Sequence, residues 1–197
     1  MPFAEPVTLT GNLVELSPLA ATDHDALIEA ARDGKLWALQ YTSVPSPDEM
    51  RSAIERFLAM QQARTRISFT VRRRDTGQVI GLTSYLNIEP EHRRLEIGGT
   101  WNAASAQRTG TNTESKLLLL DNAFEQLCCI AVEFRTHWLN RQSRAAIERL
   151  GAKQDGVLRS HQIMPDGTLR DTVVYSILAH EWPGVRAELQ RRLAARG

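Results

Sequence analysis

Residues 107–113 (Gln-Arg-Thr-Gly-Thr-Asn-Thr) have the residue types best suited to binding an anion, and they run directly into a predicted helix. The first N–H groups of a helix lack intrahelical acceptors and the helix dipole is positive there, which favours a bound phosphate. Gly110 permits close approach or a positive φ, Arg108 adds a forked positive charge, and the threonine hydroxyls can donate to phosphate oxygens. On these residues alone, a helix start capped by Asn112 or Thr113, with no ligand, stays open.

The segment differs from two widespread phosphate-binding patterns. No Gly-Lys-Ser/Thr follows Gly110, as it does in a P-loop, and the three-glycine spacing of dinucleotide-binding folds is absent from the sequence. An enzyme that uses a nucleotide phosphate at the same turn is a further possibility, and it predicts ATP binding.

Hydrophobic periodicity predicts the elements that position this turn. Strands are predicted at 12–17, 68–72, 78–86, 95–101, 130–136, 157–163 and 169–178. Helices are predicted to begin at Thr22 and Ser46 and to span 114–127, 143–150 and 183–193. Strands joined by a helix pack in parallel, whereas hairpins pair antiparallel. We therefore expect one mixed α/β domain over residues 1–197, with a C-terminal helix at about 182–195.

Composition excludes several classes of protein. Hydrophobic residues make up 42% of the chain, and 24 Lys plus Arg balance 23 Asp plus Glu, which gives no reason to expect nucleic acid or a membrane surface as partner. No apolar run approaches the roughly 20 residues of a membrane span, and a signal peptide is not recognisable, so a cytoplasmic location is expected. We expect Cys128 and Cys129 to be buried, inert thiols, and the histidine spacing predicts no metal site.

Several motifs resemble those of the GNAT acyltransferases. Gln107 and Gly110 match motif A (Gln/Arg-x-x-Gly-x-Gly/Ala), from which Asn112 departs because the family usually has Gly or Ala there. Residues 140–143 (Asn-Arg-Gln-Ser), followed by 150–152 (Leu-Gly-Ala), are similar to the signature of the branch that includes the Rim-type ribosomal-protein N-terminal acetyltransferases. The closing segments at 155–159 and 166–176 are also similar to that branch.

The resemblance implies a fold and an activity. The fold is a mixed, mostly antiparallel central sheet with splayed middle strands and helices on both faces. The activity is acetyl-CoA-dependent N-acetyl transfer to a primary amine, on a protein N-terminus or a small molecule, by direct attack in a ternary complex. A non-catalytic acyl-CoA-binding sensor is the alternative. The implied partner is the amine acceptor, and the terminal helix is a possible homodimer contact.

The resemblance also implies roles for individual residues. Glu96 is the expected base, with His137 as its rival, and Ser143 is the expected acid, with Tyr175 as its rival. Each of the first choices also has a purely structural alternative. Glu96 could pair with Arg93 or Arg94, and Ser143 could act only as a helix cap. The implied cofactor-binding residues are Thr100, Trp101, Asn102, Gln107, Arg108, Thr109, Gly110, Thr111, Asn112, Thr113, Asn140 and Ser143. Gly98 and Gly99 in the preceding strand suit either a bulge or a close backbone approach. His161 and Asp171 are expected to line the acceptor pocket.

Overall fold

Eight strands form one sheet in the computed structural model, which describes residues 3–39, 41, 44–164 and 166–195. The strands are β1 Leu9–Thr10, β2 Val14–Pro18, β3 Arg66–Arg73, β4 Val79–Glu89, β5 Arg94–Asn102, β6 Ala131–His137, β7 Lys153–Ile163 and β8 Leu169–Leu178. Their order across the sheet is β1-β2-β3-β4-β5-β6-β8-β7, in which β5 and β6 are parallel and the other neighbours antiparallel. The predicted mixed sheet is confirmed. The pattern missed β1 because two residues are too few for a period-two signal.

Five α-helices cover both faces of this sheet. They are α1 His24–Arg32, α2 Met50–Gln62, α3 Thr111–Asp121, α4 Arg141–Arg149 and α5 Trp182–Ala194. Neighbouring β3 residues show the two faces, since side chains alternate along a strand. Thr70 donates to Asp23, just before α1, whereas Phe69 packs edge-on against Tyr85, whose hydroxyl donates to the Leu119 carbonyl of α3. Fully buried side chains lie on both sides of the sheet: Leu27, Met50, Leu119, Leu120 and Leu189.

Several predicted boundaries differ from the observed ones. The helix expected at 114–127 begins at Thr111 and passes at Asn122–Gln126 into a π-helical turn. The helix expected from Ser46 begins at Met50, because residues 46–49 form a turn in which the Glu49 carboxylate accepts from the Ser46 N–H and hydroxyl.

Other expectations concern termini and thiols. Cys129 is buried as expected, but the expectation was wrong for Cys128, which is exposed in the left-handed turn (φ 52°) between α3 and β6. Residues 1, 2, 40, 42, 43, 196 and 197 of the predicted domain, and Pro165 of the predicted final hairpin turn, lie outside the described residues.

The parallel strands β5 and β6 separate soon after they begin. They pair at only three positions: Arg94 with Ala131, Leu95 with Val132, and Glu96 with Glu133. Beyond that last pair β5 continues to Asn102 and β6 to His137 without pairing to each other. The splayed middle strands are therefore confirmed, and Glu96 lies where the gap opens.

A bulge in β5 explains one of its two glycines. Thr83 of β4 faces both Gly99 and Thr100, so β5 carries one extra residue there. Gly99 has φ +58°, a conformation that other residues adopt at a cost. A Cβ at Gly99 would lie 3.0 Å from Nη2 of Arg66, so the glycine also admits a close approach of that guanidinium.

Candidate active site

The N-terminus of α3 presents three backbone donors in the predicted anion-binding turn. Gly110 is the N-cap, with φ 98° and no side chain to cap the helix, so neither Asn112 nor Thr113, the caps of the alternative without a ligand, occupies that position. The Glu114 N–H donates to the Gly110 carbonyl at 3.0 Å, whereas the N–H groups of 111–113 find no acceptor within the described ranges. These groups, at the positive end of the helix dipole, suit a bound pyrophosphate.

Two of the three threonine hydroxyls in the turn are used internally. Thr109 and Thr111 both donate to the Ala106 carbonyl, at 2.6 and 3.0 Å. Their protons therefore stabilise the turn, and the backbone N–H groups of 111–113 are left as open donors. Thr113 and Arg108 lie at the surface of the same turn, partly exposed and exposed respectively.

Asn112, the departure from motif A, connects the turn to β5. Its Oδ1 accepts from Asn102 Nδ2 at 3.3 Å, and Gln107 Nε2 donates to the Asn102 carbonyl at 3.2 Å. Trp101, the preceding residue, is buried in the sheet. The end of the splayed strand and the anion-binding turn are thus joined directly by side chains.

Glu96 is a buried carboxylate where β5 and β6 part. Its side chain is 8% exposed; Oε2 accepts from Asn87 Nδ2 at 2.7 Å and lies 3.7 Å from Arg135 Nε. Burial raises the pKa of Glu96, although Arg135 and Asn87 act to lower it. The alternative partner Arg94 pairs instead with Glu133. A buried carboxylate with a raised pKa, at the point where two strands part, is suited to accept a proton.

Asn140 and Ser143 lie beyond the end of β6, at the start of α4. Asn140 is the N-cap, since its Oδ1 accepts from the Ser143 N–H at 2.9 Å. The alternative of Ser143 as the cap was therefore wrong. Within the described part of the chain, the Ser143 hydroxyl makes no hydrogen bond, and the residue is partly exposed.

The rivals for base and acid are engaged elsewhere. His137 Nδ1 accepts from the Leu139 N–H at 3.0 Å, so the neutral ring carries its proton on Nε2 and has no lone pair there to act as a base. Burial lowers the pKa of His137. Tyr175 donates from its hydroxyl to Glu148 of α4 at 2.9 Å, on the opposite face of the sheet from Glu96.

Residues of the last hairpin that were expected at the acceptor pocket make local contacts. Asp171 accepts from Arg159 Nε at 2.8 Å and from the Ser160 N–H at 2.7 Å. His161 is exposed, with Nδ1 3.0 Å from Thr172 Oγ1. Their role toward an acceptor stays a prediction.

Lys116 is a site feature that sequence reasoning missed. It is 5% exposed, and its Nζ donates to the hydroxyls of Thr83 and Thr100 at 2.9 and 2.5 Å. Burial lowers its pKa to about 7. The available signal was helical spacing, because Lys116 precedes Leu119 and Leu120 by three and four positions and so shares their buried stripe.

Metal-ligand clusters and membrane-spanning helices are both absent from the described part of the chain. No group of three or more His, Cys, Asp or Glu side chains is arranged to hold a metal ion there. None of the helices in the same ranges has the length and apolar character that crossing a bilayer requires.

Known proteins resemble this chain in sequence and fold. Residues 14–153 match the family described as the acetyltransferase (GNAT) domain. YdaF of Bacillus subtilis (strain 168), provisionally named a ribosomal N-acetyltransferase, is 33% identical over 55% of this chain, but the alignment spans only 58% of YdaF.

Solved structures extend the likeness to nearly the whole chain. A provisionally named acetyltransferase from T. thermophilus superposes with a TM-score of 0.84 at 35% identity, covering 96% of this chain and 98% of its own. Mycobacterium smegmatis RimJ, solved with CoA-disulfide, has a TM-score of 0.78 at 22% identity, covering 97% and 96%, and shows the shared fold alone. The family match covers most of the chain and includes the anion-binding turn and the splayed strands. The chain belongs to the GNAT acetyltransferase family.

Proposed function

We propose that this protein transfers the acetyl group of acetyl-coenzyme A to a primary amine by direct attack in a ternary complex. One observation carries the proposal: β5 leaves β6 just beyond Glu96, and the strand then leads to the open first turn of α3. Past Glu96, the backbone of β5 pairs with β4 alone. Its other edge therefore offers hydrogen-bonding groups to the amides of a pantetheine arm.

The residues present fit this cofactor. The backbone of Thr100–Asn102 would hold the pantetheine, and the first-turn N–H groups of α3 and Arg108 the pyrophosphate. The amide nitrogen of Asn140, which donates to none of the described residues, would hold the far side of the arm. Bound acetyl-coenzyme A would supply the acetyl group as a thioester. Its site needs no metal ion, because the donors are backbone N–H groups and a helix dipole.

Glu96 is the proposed base, directly or through a water molecule. An alkyl amine has a pKa of about 10.4 and must lose a proton before it can attack. The Glu96 carboxylate can accept that proton because its raised pKa brings it closer to the working pH. A β5 backbone N–H is the proposed donor to the carbonyl oxygen, and Ser143 Oγ the proposed proton donor to the departing sulfur.

Thiol release provides the test. The protein is incubated with acetyl-coenzyme A and a panel of amines and peptides, including a ribosomal-protein N-terminus as the provisional name of YdaF suggests. We expect release with at least one acceptor and a large loss in Glu96→Gln. The control Glu15→Gln, on the distant strand β2, should retain activity.

Other outcomes would identify the alternatives. Acetyl-coenzyme A binding without thiol release across the panel would favour the acyl-CoA sensor. Calorimetry that detects ATP binding and no coenzyme A binding would favour the nucleotide-dependent enzyme.

A further inference from the structure

Arg66 and Glu96 belong to one row of residues across the sheet. Arg66 of β3 pairs with Leu86 of β4, and Leu86 pairs with Glu96 of β5. Cross-strand partners share a face, so all three side chains start from the face covered by α1 and α2. Two strand spacings separate the backbones of Arg66 and Glu96 by about 10 Å. A cation and the proposed base thus lie within the span of one small molecule.

The guanidinium of Arg66 is buried among neutral groups. Arg66 is 8% exposed; Nε donates to Ser68 Oγ at 2.7 Å, Nη2 donates to Ser84 Oγ at 2.9 Å, and Cζ lies 3.6 Å from the centre of the Phe57 ring. No carboxylate of the described residues forms an ion pair with it, and Nη1 makes no hydrogen bond within those ranges. Burial first, and the charge of Arg56 second, lower its pKa to about 10. A buried cation without an anion is costly, so a negatively charged ligand would be favoured here.

Two cavities adjoin this guanidinium. Arg66 lines both, one of about 250 Å³ and the other of about 400 Å³. Arg56 and Gly99 also line the smaller cavity. Asn87, which donates to Glu96, lines the larger. The larger cavity therefore borders both the cation and the hydrogen-bond partner of the proposed base.

The two glycines of β5 lie directly beside the two charged groups, and Leu86 also contacts Gly98. A Cβ at Gly98 would lie 2.7 Å from Glu96 Oε1, and a Cβ at Gly99 would lie 3.0 Å from Arg66 Nη2. Consecutive Cα atoms are about 3.8 Å apart. Glu96 and Arg66 thus approach adjacent positions of the splayed strand. Glu89 also lines the larger cavity, but it is exposed, whereas Arg66 is buried.

We propose that the acceptor carries an anionic group, with carboxylate or phosphate oxygens, that binds Arg66 while its amine lies at Glu96. This inference rests on the proposed function and names the chemical class of its acceptor. The forked guanidinium suits such oxygens, and the neutral serine partners leave its charge uncompensated. The spacing fits an acceptor in which a few bonds separate the amine from the anion.

Acetylated products allow the test to be made without turnover. N-Acetylglycine, N-acetyl-β-alanine and N-acetyl-4-aminobutyrate are titrated calorimetrically into the protein saturated with coenzyme A. For each acid, the corresponding neutral carboxamide is titrated in the same way for comparison. N-Acetylphosphoethanolamine and neutral N-acetylethanolamine are the corresponding pair for a phosphate anion. Because an acetylated amine does not titrate, each pair differs in its anion alone. We expect at least one anion to bind tenfold or more tightly than its neutral partner.

Variants assign the effect to Arg66. In Arg66→Gln we expect the preference for the anion to disappear while coenzyme A affinity stays unchanged. Arg64→Gln, an exposed arginine two positions earlier, is the matched control and should keep the preference. If Arg66→Gln does not fold, Arg56→Gln on the exposed side of α2 takes its place. That variant should reduce the preference for the anion by about as much as one exposed ion pair contributes.

Two results would overturn the inference. One is equal binding of every charged and neutral pair by the wild-type protein. The other is a loss of coenzyme A affinity in Arg66→Gln, which would assign the cation to the cofactor. Absence of thiol release in the separate activity assay would count against the proposed function instead, because product binding does not depend on turnover.

Discussion

Lys116 Nζ donates a hydrogen bond of 2.5 Å to Thr100 Oγ1, which joins α3 to the strand that separates from β6. A second bond, to Thr83 Oγ1 at 2.9 Å, extends the link to β4 across the bulge. Both acceptors are neutral hydroxyls, and burial lowers the pKa of Lys116 to about 7. The helix that presents the anion-binding turn is therefore attached to the splayed strand through an amine that titrates near neutrality.

Replacement of Lys116 should change how stability depends on pH. The pKa of lysine is about 10.4 in an unfolded chain, so between about pH 7 and 10 the unfolded state binds more protons than the folded state. Stability contributed by this residue should rise across that window, by at most about 1.4 kcal/mol per pH unit, and stay flat below it. Urea unfolding of wild type and Lys116→Met from pH 6 to 10 measures the difference. The exposed Lys35→Met serves as control, and parallel pH profiles for wild type and Lys116→Met would contradict the prediction.

Glu96→Gln should lower kcat/KM by about 10²–10⁴, the usual contribution of a general base. The wild-type rate, corrected for the fraction of unprotonated amine, should fall as acid protonates Glu96. Because burial raises the pKa of this carboxyl, that fall should begin at a higher pH than for an ordinary glutamate. The variant should lose this dependence while keeping its coenzyme A affinity. If Glu96→Gln keeps the wild-type rate and the wild-type fall in rate at acid pH, Glu96 is not the base.

Gly110→Ala should weaken coenzyme A binding as well as stability. Its φ of 98° is unfavourable for alanine, at a cost of about 1–3 kcal/mol, and a Cβ at the N-cap narrows the approach to the first-turn N–H groups. Gly77→Ala is the matched control, because Gly77 has φ +71° with open space around it, in the turn between β3 and β4. Thermal unfolding and calorimetry separate the two effects. We expect both variants to lose stability and only Gly110→Ala to lose affinity; equal affinity in the two would argue against the turn as the anion site.

Asn140 can be tested for two separate roles. Asn140→Ala removes the cap of α4 and should cost about 1 kcal/mol of unfolding free energy. Asn140→Asp keeps an oxygen for the Ser143 N–H and should retain that stability, but it lacks the amide donor proposed to bind the pantetheine arm. Melting temperature and coenzyme A affinity are measured for both. Wild-type affinity in Asn140→Asp would leave Asn140 with the capping role alone.

Much of the site was predictable where the signal is local. The strand-to-helix junction at 107–113 follows from Gly110 and the apolar periodicity around it, and the GNAT resemblance implied the separation of β5 from β6. The sequence left Asn112 and Thr113 as alternative caps because threonine and asparagine are favoured there, whereas a left-handed Gly110 in fact leaves the helix end open. Cys128 was misassigned because an apolar stretch does not show where a turn exposes one residue.

The sequence by itself determined the order of strands and helices, the chemistry of the anion-binding turn and, by resemblance, the family. These depend on residues close along the chain, whose periodicity and backbone preferences act locally. Only the tertiary structure decided that Arg66, Leu86 and Glu96 form one row and that Lys116 is buried against Thr100. Strand register and helix packing bring those residues together, and the low-dielectric surroundings that shift their pKa values exist only once the sheet and helices have packed.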